Sequence, residues 1–419
     1  MNTFLVILSY TLFILLSGIT YAQDYLSTYI NIGIANSPQL KSIEYEISSS
    51  KEKISSEAAL NDMELSLSVL PEPMMNVNGE QVATVSLMQM FPWPGTLASS
   101  AKEMKCMTES KTFLLQQAKA ELQYKIETSY YDMVLVQYET LLIQQRLTLL
   151  SNIEKNFLSK YISQMPDAKS KSVVPNLINI QLQQEELSLQ LEILKDNLAT
   201  AKRKFNILLH RNETEEILLA DSVIEYPFTI YNYDNIFNKN PKLGMLNAQK
   251  QAGMHGIEMQ KRMSYPMIGV GVEYMINKQT DNPKMEDMNG KNMFMAMFKV
   301  SMPVFRKKYN SAINSAKFKT RSIEQQYEQK TDNIKNEIIS LEQNYITLKK
   351  KLVLYTKQTS LLQEKINILN TAYTASQSSV TDILETEEKL LDYKLKTANT
   401  VTEINKTTAK LKTFISEEL

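Results

Sequence analysis

Two stretches without a single helix breaker limit what this chain can fold into. From Thr96 to Lys160 and from Lys308 to Tyr373 there is neither Gly nor Pro, the residues that disfavour a helix interior by about 1 and about 3 kcal/mol. At about 1.5 Å rise per residue, each stretch spans about 95 Å as a helix. An ordinary globular helix has about 11–12 residues. Apolar side chains recur in steps of three and four: Ile126, Met133, Val136, Ile143, Leu147 and Leu150 in the first stretch, and Ile334, Ile338, Leu341, Leu348, Leu352, Leu362, Ile366 and Leu369 in the second. Leu187, Leu191, Leu194, Leu198, Phe205 and Leu208 continue the pattern between them. A sustained heptad stripe predicts coiled-coil packing. Second apolar positions such as Leu135, Leu142 and Leu149 widen the stripe, so each helix can touch two neighbours, as a closed cylinder of helices requires.

The chain also repeats itself, with a period of about 205 residues, far beyond solenoid periods. Asn36–Leu40 and Lys239–Leu243 open the two copies with similar Asn-Pro elements. A helical stretch follows each, then an alternating segment (Met63–Val69 before Pro71 and Pro73; Ile268–Tyr274). A polar loop leads to a second alternating segment, Ala83–Phe91 or Phe294–Val300, before the long helix, a tip and a second helix. The division expected is a signal peptide (1–22), a first repeat (23–210), an inter-repeat segment (211–233) and a second repeat (234–419).

The alternating segments have the period of two that half-buried or lipid-facing strands show. Ile268, Val270, Val272 and Tyr274 take one face, with Gly269, Gly271 and Glu273 on the other. Each is near the about 10 residues that cross an outer membrane when tilted. An ordinary soluble four-stranded sheet has the same pattern. Four strands cannot close a barrel, because the smallest use about eight, so membrane passage requires several chains to pool their strands.

Other features narrow the function class. Residues Leu5–Leu8 and Leu12–Leu16 form an apolar core before Thr20 and Ala22, small residues at the −3 and −1 positions of a signal-peptide cleavage site. Nothing after this segment has the apolar length of a transmembrane helix. Cys106 is the single cysteine, and His210 and His255 are the only histidines, which argues against disulfides, thiolate metal clusters and a His/Cys catalytic pair. Charge is balanced, with 46 Lys+Arg against 46 Asp+Glu, so no global field points to nucleic acid. The expectation is a non-enzymatic protein with no cofactor and no assigned metal site. Met285, Met288, Met293, Met295 and Met297 lie close together. Thioethers can bind Cu(I), although methionine is more often an apolar filler.

The segment Phe91, Pro92, Trp93, Pro94, Gly95, Thr96, Leu97, leading from strand into long helix, resembles the Phe-Pro-Trp-aromatic-Gly-x-Leu signature of TolC-family outer-membrane factors, nearest the branch that serves heavy-metal efflux. Asn206–Arg211 is similar to that family's ending of the first helical hairpin, and Tyr373–Leu384 to its second turn. Pro94 stands where the family has an aromatic, the first tip is longer than the second, and no lipobox cysteine is present. The resemblance implies a mainly α protein with a small β part. It further implies a homotrimer whose four strands per chain form a 12-stranded outer-membrane barrel above a periplasmic helical tunnel. Its partners would be outer-membrane lipid, a periplasmic adaptor and an inner-membrane pump.

Aligned tips set Val380–Glu385 opposite Val174–Asn179. Asp382 and Glu385 then match the family's aperture acids, with Asn176 and Asn179 in the first copy. Three-residue spacing puts both acids on one helical face. Three chains would ring the axis with up to six carboxylates. A plain N-cap with a supporting acid explains the same residues at about 1 kcal/mol. The tips, near 163–172 and 376–379, are the candidate adaptor contacts. A type I secretion or drug-efflux duct is the alternative within transport, and a surface coiled-coil adhesin the alternative outside it.

Overall fold

The computed structural model describes residues 25–163, 173–227, 233–281, 283–284, 286–374 and 380–415. The signal-peptide region and the tip segments 164–172 and 375–379 lie outside these. The elements run α1 (25–36), α2 (Pro38–Ala58), β1 (Glu64–Asn76), β2 (Gly79–Phe91), α3 (Thr96–Ser163), α4 (Val173–Leu208), α5 (Tyr233–Lys239), α6 (Pro241–Arg262), β3 (Met267–Lys278), β4 (Met293–Ser301), α7 (Arg306–Thr374) and α8 (Val380–Lys412). The mainly helical fold with four strands is the one the periodicities predict. The breaker-free stretches form helices of 68 and 69 residues. The chain divides into two compact units, each assembled from separate stretches: Met1–Lys41, Gln116–Asn240 and Asp332–Leu419 in one, Ser42–Leu115 and Pro241–Thr331 in the other.

The second unit holds the sheet, ordered β1-β2-β3-β4 with every pair antiparallel. Its register gathers the alternating residues into two chemically distinct faces. On one, Leu67 pairs with Val85, Val85 with Tyr274 and Tyr274 with Phe294, while the next row is Leu65, Leu87, Val272 and Ala296. Ser66, Ser86, Glu273 and Met295 form a row of the other. The apolar face has no cover among the described residues: Leu67 is 70 % exposed and Phe298 80 %. The alternating segment expected to end before Pro71 runs on to Asn76, because the register breaks between Val69 and Met74. Proline donates no ladder hydrogen bond and is tolerated at bulges and on edge strands, and β1 is an edge strand. At the opposite end of the strands Gly79 and Gly290 take positive φ, and asparagines tie the two hairpin loops together. Asn76 Nδ2 donates to Asn277 Oδ1 at 2.7 Å, and Asn78 Nδ2 to the Lys291 carbonyl at 3.1 Å.

The first unit is helical. Its main core joins Tyr29 of α1, Ile126, Tyr130 and Met133 of α3, and Phe205 and Leu209 from the end of α4, with Tyr29 edge-on to Phe205 at 5.4 Å. The buried positions Ile126, Met133, Ile143, Leu150, Ile334, Ile338 and Ile366 are those of the heptad stripes. After α4 the chain reverses at His210, the one described non-glycine residue with positive φ. Asn206 directs the reversal, its Nδ2 donating to the Glu213 and Glu215 carbonyls (2.9 and 2.8 Å) while its Oδ1 accepts from Arg211 Nε at 2.7 Å. Residues 211–227 then strap across helices. The Tyr29 hydroxyl accepts from Leu218 N at 2.8 Å, and Asn405 exchanges bonds with Tyr226 N and the Ile224 carbonyl.

A second apolar row on α7 stays uncovered in the single chain: Ile339, Ile346, Val353, Leu361 and Ile368. Ile178, Leu182, Leu189 and Ile193 form a similar row on α4. These rows repeat at near-heptad steps, and no helix among the described residues covers them.

Candidate functional site

The aperture candidates sit where α8 begins. Val380, Ile383, Leu384, Thr386 and Leu390 are buried, and Val380 and Leu384 pack with Leu150 of α3 and Ile180 of α4. The 3.6-residue period therefore leaves Asp382 and Glu385 exposed on the opposite face, side by side with three-residue spacing. Asn179 of α4 is exposed as well. Asn176 lies in α4, with its side chain outside the described residues. One chain thus brings the two acids together. Whether the two asparagines join them around an axis depends on other copies.

Arg146 of α3 fastens this turn. Its Nη2 donates to the Leu384 carbonyl at 3.1 Å, and its Nη1 lies 3.7 Å from Glu387 Oε2. Both side chains are largely withdrawn from water, at 5 % and 16 % exposure. Burial lowers the guanidinium pKa, opposed by Glu387 and Glu388. Burial raises the Glu387 carboxyl, with Arg146 pulling it back. The bond from Arg146 ends on the residue beside Glu385, so it fixes the backbone that carries the exposed acids. Sequence reasoning missed Arg146. Its signal was a guanidinium three residues after Ile143 and four before Leu150, inside an apolar row. Near the other tip, Glu154 of α3 accepts from Gln181 and Gln184 of α4 at 3.0 and 3.1 Å, pinning that hairpin.

The signature residues form the turn from β2 into α3. Phe91 ends the strand, Pro92 follows, and Trp93 stacks on Tyr265 with ring centroids 5.0 Å apart. The Trp93 carbonyl accepts from Thr96 N and Oγ1 at 3.1 and 2.7 Å, starting the helix. Gly95 has φ +86°, and a Cβ there would run into the Arg262 guanidinium, which donates to the Pro94 carbonyl at 2.8 Å. Gly95→Ala is expected to destabilise by at least 1–2 kcal/mol from left-handed backbone alone, on the order of the known cost per residue, with displacement of Arg262 added. Thermal unfolding beside a Thr96→Ser control checks this. The arrangement is a strand-to-helix corner held by this stacking and these hydrogen bonds. Among the described residues no group of three His, Cys, Asp or Glu is placed to hold a metal ion, and no helix is long and apolar enough to cross a membrane.

No family model matches the chain, and no curated protein does. Solved structures do. The outer membrane protein VceC from Vibrio cholerae aligns at 13 % identity and TM-score 0.71, over 94 % of this chain and 98 % of that one. CusC, studied for folding and transmembrane channel formation, aligns at 13 % and 0.71 over 93 % and 92 %. The open state of the Neisseria gonorrhoeae MtrE outer membrane channel aligns at 12 % and 0.73 over 94 % and 89 %. At such identities the likeness is one of fold, and the fold is that of the TolC-type outer-membrane factor channels.

Proposed function

We propose that the chain is one protomer of a homotrimeric outer-membrane duct, a passive exit for substrates handed on by an inner-membrane pump through a periplasmic adaptor. The observation that carries this reading is the uncovered apolar face of the sheet. Twelve large apolar side chains are exposed on it and in water would cost about 0.8 kcal/mol for each CH₂ left exposed, and a soluble protein rarely shows so large a patch. Lipid removes that cost. Four strands from each of three copies make a 12-stranded barrel with the apolar face outward. The uncovered rows on α4 and α7 supply the seams by which the helices of neighbouring copies close a tunnel. The duplicated halves, 23–210 and 234–419, then act as two similar staves of one wall, joined through the inter-repeat segment 211–233. The duct catalyses nothing. The resemblance of the Phe91–Leu97 segment to the heavy-metal efflux branch makes metal cations one candidate cargo, while type I secretion or drug efflux would use the same duct with a different pump.

In this reading Asp382 and Glu385, with Asn176 and Asn179, ring the periplasmic aperture, and six carboxylates there favour cations. Planar-bilayer recordings test it. The wild type should form cation-selective channels. Asp382→Asn/Glu385→Gln should keep the channel and lower its cation preference several-fold. Unchanged selectivity would remove the acids from the aperture, and a wild type that forms no channel would remove the duct.

A further inference from the structure

The two faces of the sheet differ in a way that membrane insertion does not require. Through the regular register, the apolar face carries Leu65, Leu67, Val69, Val85, Leu87, Ile268, Val270, Val272, Tyr274, Phe294, Phe298 and Val300, and no methionine. The opposite face carries Met88, Met90, Met267, Met275, Met293, Met295 and Met297, set among Ser66, Ser68, Thr84, Ser86 and Glu273. It has no leucine, isoleucine, valine or phenylalanine. Methionine used only as a filler of gaps would serve on both faces. Here it is the only large apolar type on the polar face, and it joins the apolar face only beyond the bulges, where Met75 pairs with Glu80.

Register concentrates the thioethers. Met88, Gly271 and Met297 form one cross-strand row, and Met90 and Gly269 lie in the row beside it. Gly269 and Gly271 are buried, and a Cβ on Gly269 would collide with Met90 Sδ, so that sulfur lies over the glycine and not out in solvent. Met295 is two residues from Met297 on the same face and shares its row with Glu273 and Ser86. Lys299, across Gly269 from Met90, bounds the patch at that end. With strands about 4.8 Å apart, the long flexible side chains of Met88 and Met297 can meet above Gly271, with Met90 in the flanking row on one side and Met295 in the flanking row on the other. Thioether sulfur is a soft, uncharged donor. It suits Cu(I) and its like and is a poor ligand for hard divalent ions. Glu273, one row away, supplies a single compensating charge.

We propose that Met88 and Met297, with Met90 or Met295 as a third donor from the row on either side, form a site on this face for a soft monovalent cation, Cu(I) or Ag(I). Binding replaces hydration water by sulfur, with no change of oxidation state. That the site meets cargo in transit rests on the duct reading, in which this face lines the bore. The cation binding itself does not.

The test uses full-length protein in detergent, in a Cys106→Ser background that removes the lone thiol as a competing soft ligand, with Ag(I) as an air-stable probe. Calorimetric titration should give Ag(I) binding at least tenfold weaker in the M88L/M90L/M295L/M297L variant than in the parent, with no Zn(II) binding by either. X-ray absorption on the silver-loaded parent should show a sulfur-only inner shell, which does not depend on the variant folding. A parent without Ag(I) binding, equal affinity in parent and variant, or an oxygen and nitrogen shell would each overturn the site. Conductance of the same preparations separates the two readings. A channel that conducts but fails these assays loses the site and keeps the duct. A parent that passes them without forming channels keeps the site and loses the duct.

Discussion

Val272→Arg should largely empty the outer membrane of this protein, while Ser86→Arg should leave its level near normal. Val272 sits mid-strand on the apolar face, between Leu87 and Ala296. An arginine facing lipid near the bilayer midplane costs roughly 2–4 kcal/mol, and the proposed homotrimer would incur it three times. Set against a folding stability of about 5–15 kcal/mol, that total removes most of the assembled population. Ser86 projects from the other face one row away, where arginine meets water and alters ion passage instead of insertion. Immunoblots of fractionated membranes, with conductance of whatever protein is recovered, measure both. Equal loss, or equal tolerance, would mean the two faces see the same solvent and would end the membrane reading of the sheet.

Arg146→Met should be the most damaging single change in the helical unit. The methionine keeps much of the buried stem and removes the charge. It leaves the Leu384 carbonyl without its donor and Glu387 without its cation, and breaking a buried pair by deleting one partner costs about 3–5 kcal/mol. The pH dependence identifies the cause. Burial already raises the Glu387 carboxyl despite Arg146, and loss of the guanidinium raises it further. A carboxyl whose folded pKa lies above its unfolded value favours the folded state most below the unfolded pKa. That contribution is lost as pH rises through the folded value. The deficit of Arg146→Met against wild type should therefore be large at pH 8 and shrink towards pH 4, followed by thermal unfolding. A pH-independent deficit would reduce Arg146 to a packing role. In bilayers the same variant should conduct with a larger mean current, because Leu384 adjoins Glu385 and loses its tether to α3.

Much of this was legible from spacing alone. Ile334, Ile338, Leu348 and Ile366 are buried because a helix that must cover one side places apolar residues in steps of three and four. The strand faces follow from alternation in the same way. Features set by partners distant in sequence were not legible. Arg146 meets Leu384 across 238 residues, and Asn405 meets Ile224 across 181. Neither pairing leaves a local pattern. The extension of β1 past Pro71 and Pro73 went unread because proline reads as a stop unless the strand is known to lie at an edge. The proposed convergence of Asn176 and Asn179 with the acids requires a symmetry that one chain does not contain.

The sheet ends on two different strands, β1 and β4, and in the proposed duct this decides how copies can meet. A two-fold pair would match like edge with like and leave the others bare, whereas head-to-tail joining of β4 to the next β1 repeats until rotation brings the ring round on itself. Any partial assembly therefore carries an unsatisfied ladder of backbone donors and acceptors at both ends. Such an arc is a ready seed for runaway strand addition, so the last joining event protects the protein as much as it completes it.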